Sequence, residues 1–382
     1  AEQCFVTNDE DVEHFGSEQG CKTVAQLTGN LGTSGTSVGE ILIQAVTRHN
    51  MDDDYKTRLG AEAIAGAGSG GSGGFAVAGA VAVIVSNAET NASVGNDVII
   101  YSNGNMTVEA IEQSKLAARA WGASLTDSRF NEQNGSGKTS GSNGNSDSKA
   151  GVGGAYAMIY VNNKTTAEIG DNAQITAKSL LVKAEKQQVS AKADDIGGNI
   201  KINGVIKTGS TQIKDGKVEI NTTDDAQSSE DLKLSDLASV VKDLWNLLSN
   251  NNYYLEAVGG AASTENTKFT GAGSFTVLVI NDYVAALVGK NVTLILTDGL
   301  TVKAASKVNA VTIAGSVAYG GSKSAGVGIN TIIHNSKVNA GLGDGSTVTG
   351  ANGGSWNGDV TISASGELDL TSILVAAAAS SS

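Results

Sequence analysis

The sequence predicts a mainly β protein: a right-handed parallel β-helix, or β-solenoid, with a helical insertion and an N-terminal cap. Three observations lead there: a degenerate strand repeat in four copies, a core supply limited to small apolar side chains, and the absence of proline.

The repeat comes first. Four segments, IVSNAETNASVG, IYVNNKTTAEIG, LVINDYVAALVG and IIHNSKVNAGLG, share an asparagine and, eight residues later, a glycine. The pairs are Asn87 and Gly95, Asn162 and Gly170, Asn281 and Gly289, and Asn335 and Gly343. Alanine holds the fifth position after each asparagine, as Ala92, Ala167, Ala286 and Ala340. An apolar-x-apolar-x-Ala strand follows each glycine: Met106-x-Val108-x-Ala110, Leu180-x-Val182-x-Ala184, Leu300-x-Val302-x-Ala304 and Val360-x-Ile362-x-Ala364. This alternation is the period-2 signature of a strand with one buried face. The strand before the asparagine carries the same signal, with Phe75, Val77, Val81, Val83 and Val85 alternating mostly with alanine.

Physical roles follow from the residue types. Each asparagine is expected to close a strand and to stack in a side-chain ladder, since its amide bonds readily to nearby backbone. Each glycine is expected to supply a positive φ at a corner. One copy cannot bury its own face, so copies must stack.

Composition agrees. Hydrophobic residues reach 40% but aromatics only 4%, with 49 glycines, which suits a narrow interior lined by Ala and Val. Average proline usage of about 5% would give roughly 19 residues. Proline lacks the N–H that a ladder needs and survives in sheets only at edges and bulges. A formal net charge of −13 argues against nucleic acid and anionic membranes, both of which select basic clusters. The apolar run from Phe75 to Val85 is too short to span a bilayer.

The copies divide the chain. Residues 61–193 carry repeats 1 and 2, interrupted by a polar Gly/Ser/Asn-rich loop over 124–149. Residues 194–257 form an insertion with strand-like IKINGVIK and VEIN segments. It then places Leu234, Leu237, Val241, Leu244 and Leu248 at helical spacing. Residues 258–382 carry repeats 3 and 4. Residues 1–60 match the repeat poorly and are expected to cap the first coil, pinned by a Cys4–Cys21 disulfide. That bond implies an oxidising compartment.

Catalytic patterns fail on context. Gly66-x-Gly68-x-x-Gly71 leads into a strand, whereas a dinucleotide fingerprint must open a helix. Gly70-x-Ser72-x-Gly74 lacks the helix of a nucleophile elbow. No enzyme, cofactor or metal site is expected. Calcium is the one candidate ion, through Asp52 to Asp54, Asp298 or Asp344, and the Asp-Gly pairs read more simply as turns.

The stretch AVAVIVSNAETNASVGNDV…NMTVEA resembles the passenger repeats of Gram-negative autotransporter and filamentous-haemagglutinin-like adhesins. The likeness covers roughly residues 75–193 and 270–370. It implies an extracellular or outer-membrane surface location and a structural or adhesive, non-enzymatic role. The partner is then a host or bacterial surface molecule. Self-association into an extracellular filament is the alternative, and a carbohydrate-active β-helix enzyme a distant third. Arg129 and Phe130 in the first insertion, and Tyr253 and Tyr254 in the second, are the candidate partner-binding residues, because aromatics and Arg dominate binding hot spots. Trp245 reads as a seal for the helix.

Overall fold

The computed structural model describes residues 21–49, 59–69, 75–126, 150–188, 200–201, 209–214, 217–222, 251–263, 268–320, 322–350 and 356–380. Cys4, Arg129, Phe130, the Asp52–Asp54 run and the expected helix with Trp245 lie outside them.

Strands dominate, and there is no helix among the described residues. In chain order they are β1 (Cys21–Leu27), β2 (Ile41–His49), β3 (Leu59–Ser69), β4 (Phe75–Ser86), β5 (Ala88–Val94), β6 (Ile99–Tyr101), β7 (Met106–Ser114), β8 (Leu116–Thr126), β9 (Ala150–Ile169), β10 (Gln174–Ala177), β11 (Leu180–Lys186), β12 (Ile200–Lys201), β13 (Gly209–Lys214), β14 (Lys217–Thr222), β15 (Tyr253–Ser263), β16 (Thr270–Val288), β17 (Thr293–Leu296), β18 (Leu300–Tyr319), β19 (Ser324–Leu342), β20 (Thr347–Thr349) and β21 (Val360–Ala379).

Three parallel sheets take almost all of them. Sheet I holds β1, β4, β5, β9, β16 and β19; the narrow sheet II holds β6, β10, β17 and β20; sheet III holds β2, β3, β7, β8, β11, β15, β18 and β21. The chain visits them cyclically, as in β9 to β10 to β11 and again in β16 to β17 to β18. The strands β12 to β14 form a small antiparallel sheet of their own.

Repeat copies become register partners. Asn162 pairs with Asn281 and Asn281 with Asn335, while Ala110, Ala184, Ala304 and Ala364 share one row of sheet III. A fifth copy of the sheet III motif, Ile41-x-Ile43-x-Ala45, sits in β2 opposite Met106, Val108 and Ala110. Residues 21–49 thus extend sheets I and III. The cap expected over residues 1–60 contains strands of the sheets themselves. The second insertion also ends earlier than expected: Tyr253 to Ala257 belong to β15, paired with β8 and β18. At the first insertion, Ser124 to Thr126 complete β8.

The core tapers. Beside sheet II it contains Ile100, Met106, Leu180, Leu294, Leu296 and Leu300. Between sheets I and III it thins to Ala80, Ala82, Ala118, Ala120, Ala157 and Ala257, with a few larger residues. Farther along, glycines face each other. A Cβ on Gly122 would strike the Gly154 carbonyl, and one on Gly153 would strike that of Gly260. The taper reverses the expected facing of β4. Its alternation is real, but Ala76, Ala78, Ala80 and Ala82 point inward and Phe75, Val77, Val81, Val83 and Val85 face solvent. Only a methyl group fits at that depth.

Two corner expectations are also corrected. Asn162, Asn281 and Asn335 lie inside continuous strands, so they do not end them. The corner glycines do not have positive φ. That conformation falls two residues later, at Asp97, Asn172, Asn291 and Gly345. Gly170 and Gly289 are required by crowding: a Cβ at Gly170 would lie 2.5 Å from Gly95 C, and one at Gly289 would lie 2.8 Å from Gly170 C.

Candidate functional site

Extending the sheet III motif by one more alternation reaches Thr47, Glu112, Lys186 and Ser306, all inward and in register. Opposite them on sheet I, the residue after each ladder asparagine also points inward, giving Asn163, Asp282 and Ser336 in one row. These two polar rows meet inside the molecule and separate the two apolar core clusters.

Lys186, Glu112 and Asp282 are sealed from solvent, with side-chain exposures of 0, 2 and 1%. Lys186 Nζ lies 2.6 Å from Asp282 Oδ1 and 3.5 Å from Glu112 Oε1. Glu112 is held from several sides: Asn163 Nδ2 donates at 2.5 Å, Ser114 Oγ at 2.6 Å and Thr165 Oγ1 at 3.1 Å. Asn163 is fixed in turn, because its Oδ1 accepts from Ser86 Oγ at 3.1 Å and from the Ala88 amide at 3.0 Å. His49 Nδ1 is 2.9 Å from Ser114 Oγ. The Tyr253 ring lies 5.3 Å from Lys186 Nζ. Among the described residues, Asp282 Oδ2 has no hydrogen-bond partner.

Burial sets the electrostatics and the neighbours modify it. Desolvation alone would raise Glu112, but Lys186 and the hydrogen bonds outweigh it and hold the carboxylate below its usual range. Desolvation opposes the charge on Lys186 too, yet Asp282 and Glu112 keep the ammonium above its ordinary value. Asp282 is pushed up, by burial first and by the like charge of Glu112. His49 is pushed down by burial. The result is one buried cation against two buried carboxylates, a costly arrangement unless every group is satisfied.

A third buried carboxylate lies on the outward face of sheet III. Glu256 Oε1 accepts from Trp121 Nε1 at 2.5 Å, and its Oε2 accepts from Tyr254 at 2.8 Å. Arg119 stacks over the Trp121 ring at 3.8 Å. Desolvation pushes Glu256 up to about 7 despite those partners. Tyr253 and Tyr254 therefore cannot serve as partner contacts. Both are fully buried, one facing the interior and the other bonded to Glu256.

The accessible surface of note is the outward face of sheet I. Register aligns Val81, Tyr156, Phe275 and Ile329 in one row and Val85, Tyr160, Val279 and Ile333 in another. The Tyr156 and Phe275 rings stack with centroids 5.6 Å apart. Beside these rows runs the asparagine ladder. Asn162 Nδ2 donates to Asn87 Oδ1 at 3.5 Å, and Asn335 Nδ2 to Asn281 Oδ1 at 3.1 Å. Among the described residues, no three His, Cys, Asp or Glu side chains gather as a metal set. Asp298 pairs instead with Lys178 at 3.6 Å. Cys21 lies on β1, within sheet I.

Sequence reasoning missed the interior rows because the motif was ended at alanine. A lysine or glutamate in phase with a buried apolar row was the available signal. Compared with known proteins, the chain matches no family model, no curated protein and no solved structure.

Proposed function

We propose that this chain is an extracellular structural and adhesive surface protein, a right-handed parallel β-helix of the autotransporter-passenger kind. The carrying observation is the in-register recurrence of one motif through three parallel sheets, with asparagine stacked on asparagine in successive passes. Such a stack grows by repetition and works as a stiff stalk. The resemblance of the repeat to surface adhesins, and a charge of −13 that resists self-aggregation, support the same reading.

Attachment on this reading falls on the outward face of sheet I, and its occupant is a neutral glycan. Stacked aromatic rings offer apolar faces to sugar rings, and the adjoining row of amides offers donors and acceptors for hydroxyls. Three rows across four strands cover on the order of 300 Å², the size of a functional patch. The test is binding of purified protein to glycan-bearing cells and to a neutral-glycan array. Tyr156→Ala with Tyr160→Ala should cut binding at least tenfold while circular dichroism stays unchanged. Equal binding by the variant rejects this placement.

One observation favours a second reading, a filament subunit. The last strands in the stack, β19, β20 and β21, leave one edge unpaired among the described residues.

A further inference from the structure

We propose that Lys186 and Asp282 become joined by an intramolecular amide, an isopeptide bond, with Glu112 as proton carrier. The geometry is that of reactants already assembled. An amine-bearing and a carboxyl-bearing side chain lie 2.6 Å apart in an interior sealed from bulk solvent, with a second carboxylate 3.5 Å from the same nitrogen. Groups held this way reach effective molarities on the order of 10⁵ M or more, which offsets a condensation that is unfavourable in water.

The ground state supplies a driving force. Among the described residues, Asp282 Oδ2 is a carboxylate oxygen with no hydrogen-bond partner, in a site where an ion needs all of them. Amide formation removes both charges from the interior. The rise in the Asp282 carboxyl favours its neutral, electrophilic form. Glu112, kept ionised by Lys186 and three hydrogen-bond donors, is the available base.

The step balances without redox chemistry or a cofactor. The Lys186 ammonium passes one proton to Asp282, leaving a neutral amine against a carboxylic acid. Nζ attacks Cγ to give a tetrahedral intermediate. Glu112 takes a second proton from the nitrogen and hands it to the departing hydroxyl. One N–C bond forms, one C–O bond breaks, and one water leaves. The product staples β11 of sheet III to β16 of sheet I and closes a covalent loop around the whole 187–281 segment. Such a cross-link suits a protein that works under tension, though it stands independently of the adhesive role.

The experiment is the intact mass of the parent protein, denatured and reduced. The expected mass is one water molecule below that of the sequence. Trypsin should fail to cut after Lys186 and should release a branched peptide containing Asp282. The full sequence mass, with normal cleavage at Lys186, overturns the proposal and leaves an ordinary buried ion pair. Lys186→Arg keeps the charge but should show the full mass, as should Glu112→Gln and Glu112→Ala, each checked for a native circular dichroism spectrum. A folded Glu112 variant that still loses water removes Glu112 from the chemistry. The bond itself stands or falls on the parent protein alone.

Discussion

At the scale of single residues, two kinds of corner position have exchanged roles. Gly289 has an ordinary φ and is needed because the preceding pass lies too close, with Asp171 N 2.8 Å from where a Cβ would sit. Asn291 has φ 54° and is needed for its tolerance of the left-handed region, which it uses while donating through Nδ2 to Asn172 Oδ1 at 3.4 Å. The consequence is testable by chemical denaturation. Gly289→Ala should cost roughly 1–3 kcal/mol from overpacking, whereas Asn291→Gly should change stability little, since glycine adopts positive φ freely. Equal costs at the two sites would falsify this division of labour. Glu256 gives a pH signature at the same scale. Its folded value of about 7 lies above the usual 4.5, so the native state holds a proton that the unfolded chain releases between those values. Its contribution is complete below pH 4.5 and disappears as pH rises through about 7. At most this is on the order of 3 kcal/mol. The melting temperature should therefore rise between pH 8 and pH 5, and Glu256→Gln should flatten that rise. An unchanged profile in the variant assigns the effect elsewhere.

At the scale of elements, legibility depended on which physical constraint wrote the pattern. Backbone periodicity wrote the alternation, and stacking wrote the coincidence of Asn87, Asn162, Asn281 and Asn335, so both could be read directly from the sequence. Facing was different. In β4 the choice lies between alanine and valine, and hydrophobicity alone favours burying valine. The closeness of sheets I and III, set by glycines on β8, β9, β15 and β16, reverses it. No local pattern carries that information, because the constraint belongs to the distance between two sheets. The interior charges were readable in phase but not in partnership, since Glu112, Lys186 and Asp282 come from three separate strands. The reversed facing predicts opposite responses from adjacent positions. Ala82→Val adds volume to a sealed inner row and should cost roughly 1–3 kcal/mol. Val83→Thr, on the solvent side and still β-branched, should stay within about 0.5 kcal/mol. Thermal unfolding of the pair decides it, and the reverse order would restore valine to the core.

At the scale of the whole molecule, the filament reading turns on the two outer edges of the sheets. Among the described residues, one end is made by β1 and β4 on sheet I with β2 and β3 on sheet III; the other is made by β19, β20 and β21, one on each of the three sheets. Among the described residues, β19, β20 and β21 each have a neighbour on one side only. The inward residues of β21 show the consequence. Val360, Ile362, Leu370 and Leu374 are register partners of the core residues Leu300, Val302, Ala310 and Ala314, yet they are between 43 and 57% exposed. An unpaired parallel edge with an open apolar interior is a template for another strand layer. On the filament reading, the layer that fits is the first pass of a second copy, whose β2 carries the same Ile41-x-Ile43-x-Ala45 motif. On that reading the contact joins two different surfaces, does not close on itself and propagates into a fibre. Light scattering of the 382-residue chain should show mass growing with concentration, and negative-stain images should show rods extended along the stacking direction. Ile362→Lys with Leu374→Lys places charge on the edge and should return the protein to monomers with the fold intact. A parent protein that stays monomeric at high concentration excludes end-to-end assembly of this chain, and the open edge then serves no partner of its own kind.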